Sequence, residues 1–467
     1  MAWTLNRSRR RKCDRRQRPG LEHLDDRCLL STVSGALVAQ HAVHEHHLAA
    51  VHVQSALNAP VHVHHLARTR SAHAAKAAIA PKMVEQPAGT VITGTATPFD
   101  PIIGAAATRS AYGVDGSGMT VAVIDTGVDY NNPDLGGGFG PGYKVIAGYD
   151  FADNTADPMA TTSQHGTAVA GLIGGNDPSH LGVAPGVNIV ALKVTGNNNS
   201  SSLSNIVQAL QWVINNHAKY NITVVNISLS DGGNYAQNWF AHDGGAGQQI
   251  TGLISQLESM NIPVVGATGN SYSGQQGEGF VSIVGGVISV TATNTSGQLL
   301  PDAQRLGATV GLGTKTDLAA PGTGFVAPSG DSGYSGVDGT SFAAPLVSGA
   351  VVLLQQIYYQ RFGTLPSVAQ VTGWLEQGAD PIYDPSSGLT IGQLDITKAA
   401  ALIPQPGTTV TTAPVSTPVL TPVASTATST STTSISTTTT NQASSTAVVS
   451  TPSTTTNTQS TSNNSTP

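Results

Sequence analysis

Residues 120–127 of the chain read Thr120-Val121-Ala122-Val123-Ile124-Asp125-Thr126-Gly127, an apolar run that ends in a carboxylate and a turn. A short apolar run bounded by turn residues is typical of a strand that is buried on both faces. Similar runs follow at Val187–Val194, Thr223–Leu229 and Ile262–Ala267. The sequence therefore predicts several strands of one buried sheet.

Amphipathic segments separate these runs. Apolar residues recur at helical spacing between Leu203 and Ile214, and again between Ile250 and Leu257. Strands that alternate with helices form βαβ units, in which the sheet is parallel and helices cover its faces. We predict an α/β fold over residues 88–403, with three αβα layers and a mainly parallel central sheet.

Charge and composition exclude several classes of function. Residues 1–82 carry 13 basic and 5 acidic side chains, whereas residues 83–467 carry 8 basic and 22 acidic ones. Residues 83–467 are acidic enough to repel phosphate backbones, so we expect no nucleic-acid partner. No run of 18 apolar residues occurs, so no membrane span is predicted. Both cysteines precede residue 88, which excludes a disulfide or a thiolate metal site within the predicted domain.

Residues 1–39 are interpreted as an export leader. Residues 7–27 hold nine Lys or Arg, and the short apolar segment Leu29–Ala39 follows, in the order of a signal peptide. Residues 21–31 also resemble a segment that opens many large surface proteins of some bacteria. We expect bacterial-type export to a secreted or cell-surface location, by the Sec or the twin-arginine route. A basic tail on a cytoplasmic protein is the alternative.

Two low-complexity segments flank the predicted domain. Residues 40–87 are rich in His and Ala, and nine of the 14 histidines lie within residues 41–73. This segment is read as a removable pro-segment or a spacer, with metal binding or pH sensitivity as alternatives. Residues 404–467 contain no Lys, Arg, Asp or Glu and are dominated by Ser, Thr and Pro. Such a composition buries too little apolar area to order itself, so a disordered tail is predicted.

Four side chains within the predicted domain are suited to catalysis. Asp125 ends a strand, His165 stands where a helix of small residues begins, Asn270 follows a strand, and Ser341 opens an apolar helix. The carboxyl ends of parallel strands line one crevice, where these groups would converge. Taken singly, each has a structural interpretation as a helix cap or a turn residue. Taken together, they are the parts of nucleophilic acyl transfer.

The motifs around these residues resemble those of the subtilisin-like serine proteases (subtilase family, peptidase S8), in which the triad follows the order Asp, His, Ser. The separations are 40 residues from Asp125 to His165 and 176 from His165 to Ser341. The resemblance covers residues 103–403. It implies a monomeric serine endopeptidase that acts on proteins or peptides through an acyl-enzyme intermediate. Asp125, His165 and Ser341 would be the triad, and Asn270 would stabilise the oxyanion.

The resemblance also implies a substrate groove. Extended substrate would pair with Ser228, Leu229 and Ser230. The pocket for the residue before the cleaved bond would lie between these residues and the segment Ala267, Thr268 and Gly269. The family usually has Gly where Ser230 stands, so a preference for large aromatic residues is not assumed.

A structural calcium site is a further implication, with Asp134 and Asn176 as side-chain ligands. Pro178 and His180 replace the aliphatic residues of the family loop, so a turn without metal remains the alternative. No organic cofactor is expected.

Two rival functions remain at this stage. The first is a surface-associated binding or structural protein that keeps the fold and cleaves nothing. The second is a metal carrier built on the histidine tract, residues 41–73. The joint presence of Asp125, His165, Asn270 and Ser341 favours the enzyme, because a binding module has no need of all four.

Overall fold

The computed structural model describes residues 97–196 and 201–407, and its centre is one twisted sheet. In chain order the strands of these residues are β1 (Thr120–Asp125), β2 (Val145–Asp150), β3 (Asn188–Lys193), β4 (Ile222–Ile227), β5 (Val264–Ala267), β6 (Val287–Thr293), β7 (Leu318–Pro321), β8 (Thr323–Ser329), β9 (Gly333–Asp338), β10 (Asp380–Asp384) and β11 (Leu389–Gln393).

Nine of the described strands form the main sheet, in the order β10-β11-β7-β6-β5-β4-β1-β3-β2. Adjacent strands of this sheet are parallel, except that β10 and β11 form an antiparallel pair at one edge. β8 and β9 form a separate antiparallel hairpin. The mainly parallel sheet is confirmed. β1 lies between β3 and β4, so the strand order reverses at β1, and a crevice opens at its carboxyl end.

Helices cover both faces of the sheet. In chain order they are α1 (Asp100–Ile103), α2 (Ala105–Tyr112), α3 (His165–Gly174), α4 (Leu203–Tyr220), α5 (Ala246–Ser259), α6 (Thr340–Phe362), α7 (Val368–Gly378) and α8 (Ile396–Ala401). α3 and α6 pack together, and α6 lies against β4, β5, β6 and β7. α4 and α5 also pack together; α4 contacts β1 and β4, and α5 contacts β5. Two separate apolar clusters result, one on each side of the sheet, as the predicted three-layer αβα fold requires.

β4 and β5 are each shorter than the predicted apolar run. β4 stops at Ile227, although the apolar run continues to Leu229. β5 begins at Val264, because the preceding Pro263 has no N–H to donate to a ladder. Residues 228–230 therefore leave the sheet at the carboxyl end of β4, where their backbone groups are not used by β5.

Helix α6 is long and apolar enough to cross a membrane, but its most apolar window is entirely buried within the protein. The longest apolar stretch that the sequence offers, Ser341–Leu354, lies within this helix; it falls short of 18 residues and contains Pro345. Burial on all sides explains the composition, since α6 is the central helix of its layer. Pro345 lies inside the helix, at its sixth residue, and supplies no N–H to the i→i−4 ladder there.

The predicted leader (1–39), the histidine-rich segment (40–87) and residues 408–467 of the predicted tail lie outside the described residues. Near the end of the described part, the Arg361 side chain donates to the carbonyl oxygens of Ile403 and Pro404, at 2.6 and 3.1 Å. These bonds fasten the last helical segment to α6.

Candidate active site

Asp125 occupies the carboxyl end of β1, where the strand order reverses. Its side chain is fully buried. Oδ1 accepts a hydrogen bond from the backbone N–H of Thr126 at 2.7 Å and lies 2.8 Å from Nδ1 of His165. A carboxylate at this position holds Nδ1 as the protonated nitrogen of the neutral imidazole. Nε2 is then the nitrogen that can take up a proton.

His165 is the first residue of α3, and its backbone is held on both sides. Its N–H donates to Oγ of Ser163 at 3.2 Å, and the N–H of Gly166 donates to Oγ1 of Thr126 at 3.0 Å. A Cβ on Gly166 would lie 2.2 Å from the carbonyl oxygen of Gly127. Glycine at 166 thus permits the close approach of α3 to the β1 turn that brings His165 to Asp125.

Ser341 is the second residue of α6 and is almost completely buried. The amino ends of α6 and α3 adjoin, since the ring of Phe342 lies 5.1 Å from the ring of His165. The structure thus brings the segments that carry Asp125, His165 and Ser341 together. A hydroxyl beside an imidazole oriented by a carboxylate is an arrangement suited to a nucleophile.

Asn270 follows β5 and is anchored to the start of α6. Its Oδ1 accepts from both the backbone N–H and the hydroxyl of Thr340, at 2.9 and 3.0 Å. The same hydroxyl accepts from the N–H of Gly269 at 3.1 Å. Because Oδ1 is held by Thr340, the amide presents its N–H donors from the opposite end. Such a fixed donor can stabilise developing negative charge on an oxygen.

The predicted groove residues fall on two adjacent segments. β4 and β5 are parallel neighbours, with Ile227 opposite Gly266. The segments that follow, 228–230 and 268–270, therefore leave the sheet side by side. Ser228 is fixed by a 2.8 Å bond from the amide of Asn226, and Thr268 donates its hydroxyl to the carbonyl of Gln304 at 2.7 Å. Leu229, Ala267 and Gly269, which belong to the same two segments, are buried.

The two predicted calcium ligands also lie together. The N–H of Asn176 donates to the backbone carbonyl of Asp134 at 3.0 Å. Oδ2 of Asp134 and Oδ1 of Asn176 are both buried and have no hydrogen-bond partner. Burial raises the pKa of the Asp134 carboxyl. Within the described residues, no group of three or more His, Cys, Asp or Glu could hold a metal ion. Any cation here would therefore also need carbonyl oxygens.

Several residues around the site were not predicted. Thr340 lies in the same motif as Ser341, but its bonds to Asn270 depend on the packing of α6 against the β5 turn. Gln304 is fully buried; its N–H donates to the carbonyl of Gly269 at 2.7 Å, and its amide to Gly233 and Asn234. No periodic pattern surrounds it that could have identified it.

A buried lysine lies beside Asp125. Lys193 is the register partner of Asp125 on the adjacent strand β3, and its Nζ pairs with Asp150 at 2.8 Å. A cation within an otherwise apolar run was a visible signal in the sequence, whereas nothing marked Asp150 as its partner. The ion pair offsets part of the cost of burying Lys193 at the carboxyl end of β3.

Comparison with known proteins finds a family and several relatives that this chain resembles. The family model described as "Subtilase family" matches residues 116–393. The thermophilic serine proteinase of Bacillus sp. (strain AK1) is 34 % identical over 244 residues, 51 % of this chain and 52 % of that protein. Subtilisin NAT of Bacillus subtilis subsp. natto is 31 % identical over 253 residues, 52 % of this chain and 57 % of that protein. The chain thus spans about half the length of these relatives.

A solved structure shares the fold. It is the prenylagaramide maturation protease PagA, which matches with a TM-score of 0.50 at 24 % identity. The match covers 64 % of this chain and 97 % of that one. The sheet and its two helical layers are therefore those of a known architecture.

Proposed function

Because this chain belongs to the subtilase family, we propose that it is a serine endopeptidase that hydrolyses peptide bonds in proteins and peptides. One observation carries the proposal. The buried 2.8 Å contact between Asp125 and Nδ1 of His165 stands at the amino end of α3, where the helix that begins with Thr340-Ser341 adjoins it. A scaffold that only binds would not need a buried carboxylate to orient an imidazole beside a serine.

The proposed reaction begins with attack by Oγ of Ser341 on the carbonyl carbon of the scissile bond. Nε2 of His165 takes the Oγ proton, and Asp125 stabilises the imidazolium that forms. The carbonyl oxygen becomes an oxyanion, to which the amide of Asn270 donates a hydrogen bond. His165 then protonates the leaving amine, and the acyl group remains as an ester on Ser341. Water, deprotonated by His165, releases the acid in the second half of the reaction.

Segment 228–230 is proposed to bind extended substrate as an added strand. It continues beyond β4 after the sheet pairing has ended, so its backbone groups are available to a peptide. Ala267, Thr268 and Gly269 would form the facing wall of the pocket for the residue before the cleaved bond. Substrates are peptides that reach the crevice in an extended conformation.

Calcium is proposed as a structural ion at Asp134 and Asn176. The fit rests on the two buried side-chain oxygens that lack hydrogen-bond partners. Carboxylate and amide oxygens are the donors that calcium prefers, and loop carbonyls would complete its shell. The ion would neutralise the buried Asp134 carboxylate and fasten the loop after α3. It takes no part in the chemistry.

Export is proposed for the whole chain, on the basis of the basic and apolar leader. The histidine-rich segment would be cut off within its last residues or just beyond them, so that the mature enzyme begins between Pro81 and Pro98, before the first described helix. N-terminal sequencing of secreted material tests this. A mature N-terminus near Gln40 in active enzyme would contradict removal and favour a spacer.

The experiment for the activity compares the chain with its Ser341→Ala variant. A fluorophosphonate should label the wild type and leave Ser341→Ala unlabelled, while peptide hydrolysis falls by about 10⁴-fold or more. Ser296→Ala, in an exposed turn, is the matched serine control and should behave as the wild type. Full hydrolysis by Ser341→Ala, or an unlabelled wild type, would contradict the proposed function and favour the scaffold.

A further inference from the structure

The hydroxyl of Ser230 lies between Gly269, which belongs to the predicted pocket, and Gly279, which sequence reasoning did not identify. A Cβ built on Gly279 would stand 2.0 Å from Oγ of Ser230, and a Cβ built on Gly269 would stand 2.9 Å from the same atom. Oγ also accepts a long 3.4 Å bond from the N–H of Gly232. The side chain of Ser230 therefore occupies the space between the wall at 267–269 and the segment at 278–281.

The walls around this space are fastened to one another. The N–H of Gly279 donates to the carbonyl of Thr268 at 2.8 Å. The N–H of Asp231 donates to the carbonyl of Phe280 at 3.2 Å, and the N–H of Phe280 returns a bond to Oδ1 of Asp231 at 3.0 Å. Three segments are thus joined by backbone bonds, so spreading them to admit a large side chain would break hydrogen bonds.

The far side of the space is closed. Gly279 is buried, although an open pocket would leave a glycine at its floor accessible to water. Behind it, the fully buried Glu278 accepts from the hydroxyls of Thr316 and Ser282, at 2.6 and 3.1 Å. The Glu278 carboxylate is bonded within the protein and is not directed at the pocket.

We propose that Ser230 is a specificity-determining residue, which restricts the residue before the cleaved bond (P1) to small side chains such as Gly, Ala and Ser. This inference rests on the proposed function, because the space is a P1 pocket only if Ser341 cleaves peptides. An aromatic ring at P1 would have to displace the Ser230 hydroxyl from between Gly269 and Gly279.

The test uses peptide substrates that differ only at P1, with Ala, Leu, Phe or Lys. The wild type should hydrolyse the Ala substrate with a kcat/KM at least tenfold above that of the Phe substrate. Ser230→Gly should raise the ratio of kcat/KM for Phe to kcat/KM for Ala by about tenfold or more, the size expected when a pocket gains or loses a methylene-sized volume. Ser230→Thr should increase the preference for Ala.

The controls separate the two proposals. Ser296→Gly makes the same change in an exposed turn and should keep the wild-type P1 profile. Fluorophosphonate titration counts active sites in every variant, so misfolded protein does not enter the comparison. Labelled, active wild type that prefers Phe or Lys, or a Ser230→Gly variant with an unchanged profile, overturns the inference alone. Absence of both labelling and hydrolysis overturns the proposed function and this inference with it.

Discussion

Thr340 donates two hydrogen bonds to Oδ1 of Asn270, one from its backbone N–H at 2.9 Å and one from its hydroxyl at 3.0 Å. The residue directly before the proposed nucleophile thus orients the proposed oxyanion donor. The two groups must act on the same carbonyl, and a shared anchor at the start of α6 fixes their relative positions. Preorganisation of this kind avoids the cost of reorienting a donor during the reaction.

Asn270→Ala should lower kcat by about 10²–10³-fold with little change in KM, the size that removal of one oxyanion donor has in a subtilisin. The donor acts on negative charge that exists only in the transition state, so ground-state binding is largely unaffected. Steady-state kinetics on one peptide measure both constants. A raised KM with unchanged kcat would identify Asn270 as a contact to bound substrate instead.

Thr340→Val should lower kcat by about tenfold, because one hydrogen bond to Oδ1 of Asn270 is lost and the N–H of Gly269 loses its acceptor. Thr340 positions Asn270 and the backbone of Gly269 and does not itself touch substrate, so KM should change less than kcat. Thr340→Ser keeps the hydroxyl and should restore most of kcat. A Thr340→Ser variant as slow as Thr340→Val would show that packing of the methyl group, not the hydrogen bonds, is responsible.

The fold could be predicted from sequence because its signals are local. β1 is an unbroken apolar run closed by Thr126-Gly127, and the apolar stripes of α4 and α5 lie within single helices. The motifs around Asp125, His165, Asn270 and Ser341 are local as well, and parallel strands bring their ends to one edge. Features that one continuous segment encodes could therefore be predicted from the sequence.

Contacts between distant segments could not be predicted in the same way. The bonds of Thr340 to Asn270 join residues 70 apart, and Gln304 reaches Gly233 across 71. Each depends on how distant segments pack against one another, which no periodicity in the sequence records. The early end of β4 at Ile227 is similar, since the apolar run continues to Leu229 while the pairing with β5 ends at Gly266.

Chelation should destabilise the protein if calcium binds at Asp134 and Asn176. In the Ser341→Ala background, which prevents autolysis, removal of calcium at about 100 Kd should lower Tm by about 5–10 °C. Asp134→Asn should remove this dependence, because it discharges the proposed ligand. Glu258→Gln removes an exposed carboxylate from α5 and should keep the full shift. Equal Tm with and without chelator in the Ser341→Ala protein would favour a turn without metal.

Glu278 should make the fold less stable as pH rises through the weakly acidic range. Burial raises the pKa of this carboxyl to about 7, and the nearby Asp317 adds to the rise. Between the unfolded pKa of about 4.3 and this value, the folded state holds a proton that the unfolded state has lost. Stability that is fully present at about pH 4 is therefore lost progressively up to pH 7 and changes no further above it.

Glu278→Gln removes this titration while its amide oxygen can still accept from Thr316 and Ser282. In the Ser341→Ala background, the variant should gain Tm relative to its parent at pH 8 and show a shallower fall of Tm between pH 5 and 7. Thermal unfolding followed by circular dichroism across this range measures both effects. Asp317, whose pKa burial raises to about 6, contributes to the slope that remains. Glu258→Gln should keep the parental slope, and a Glu278→Gln slope equal to it would show that Glu278 is ionised in the folded protein throughout.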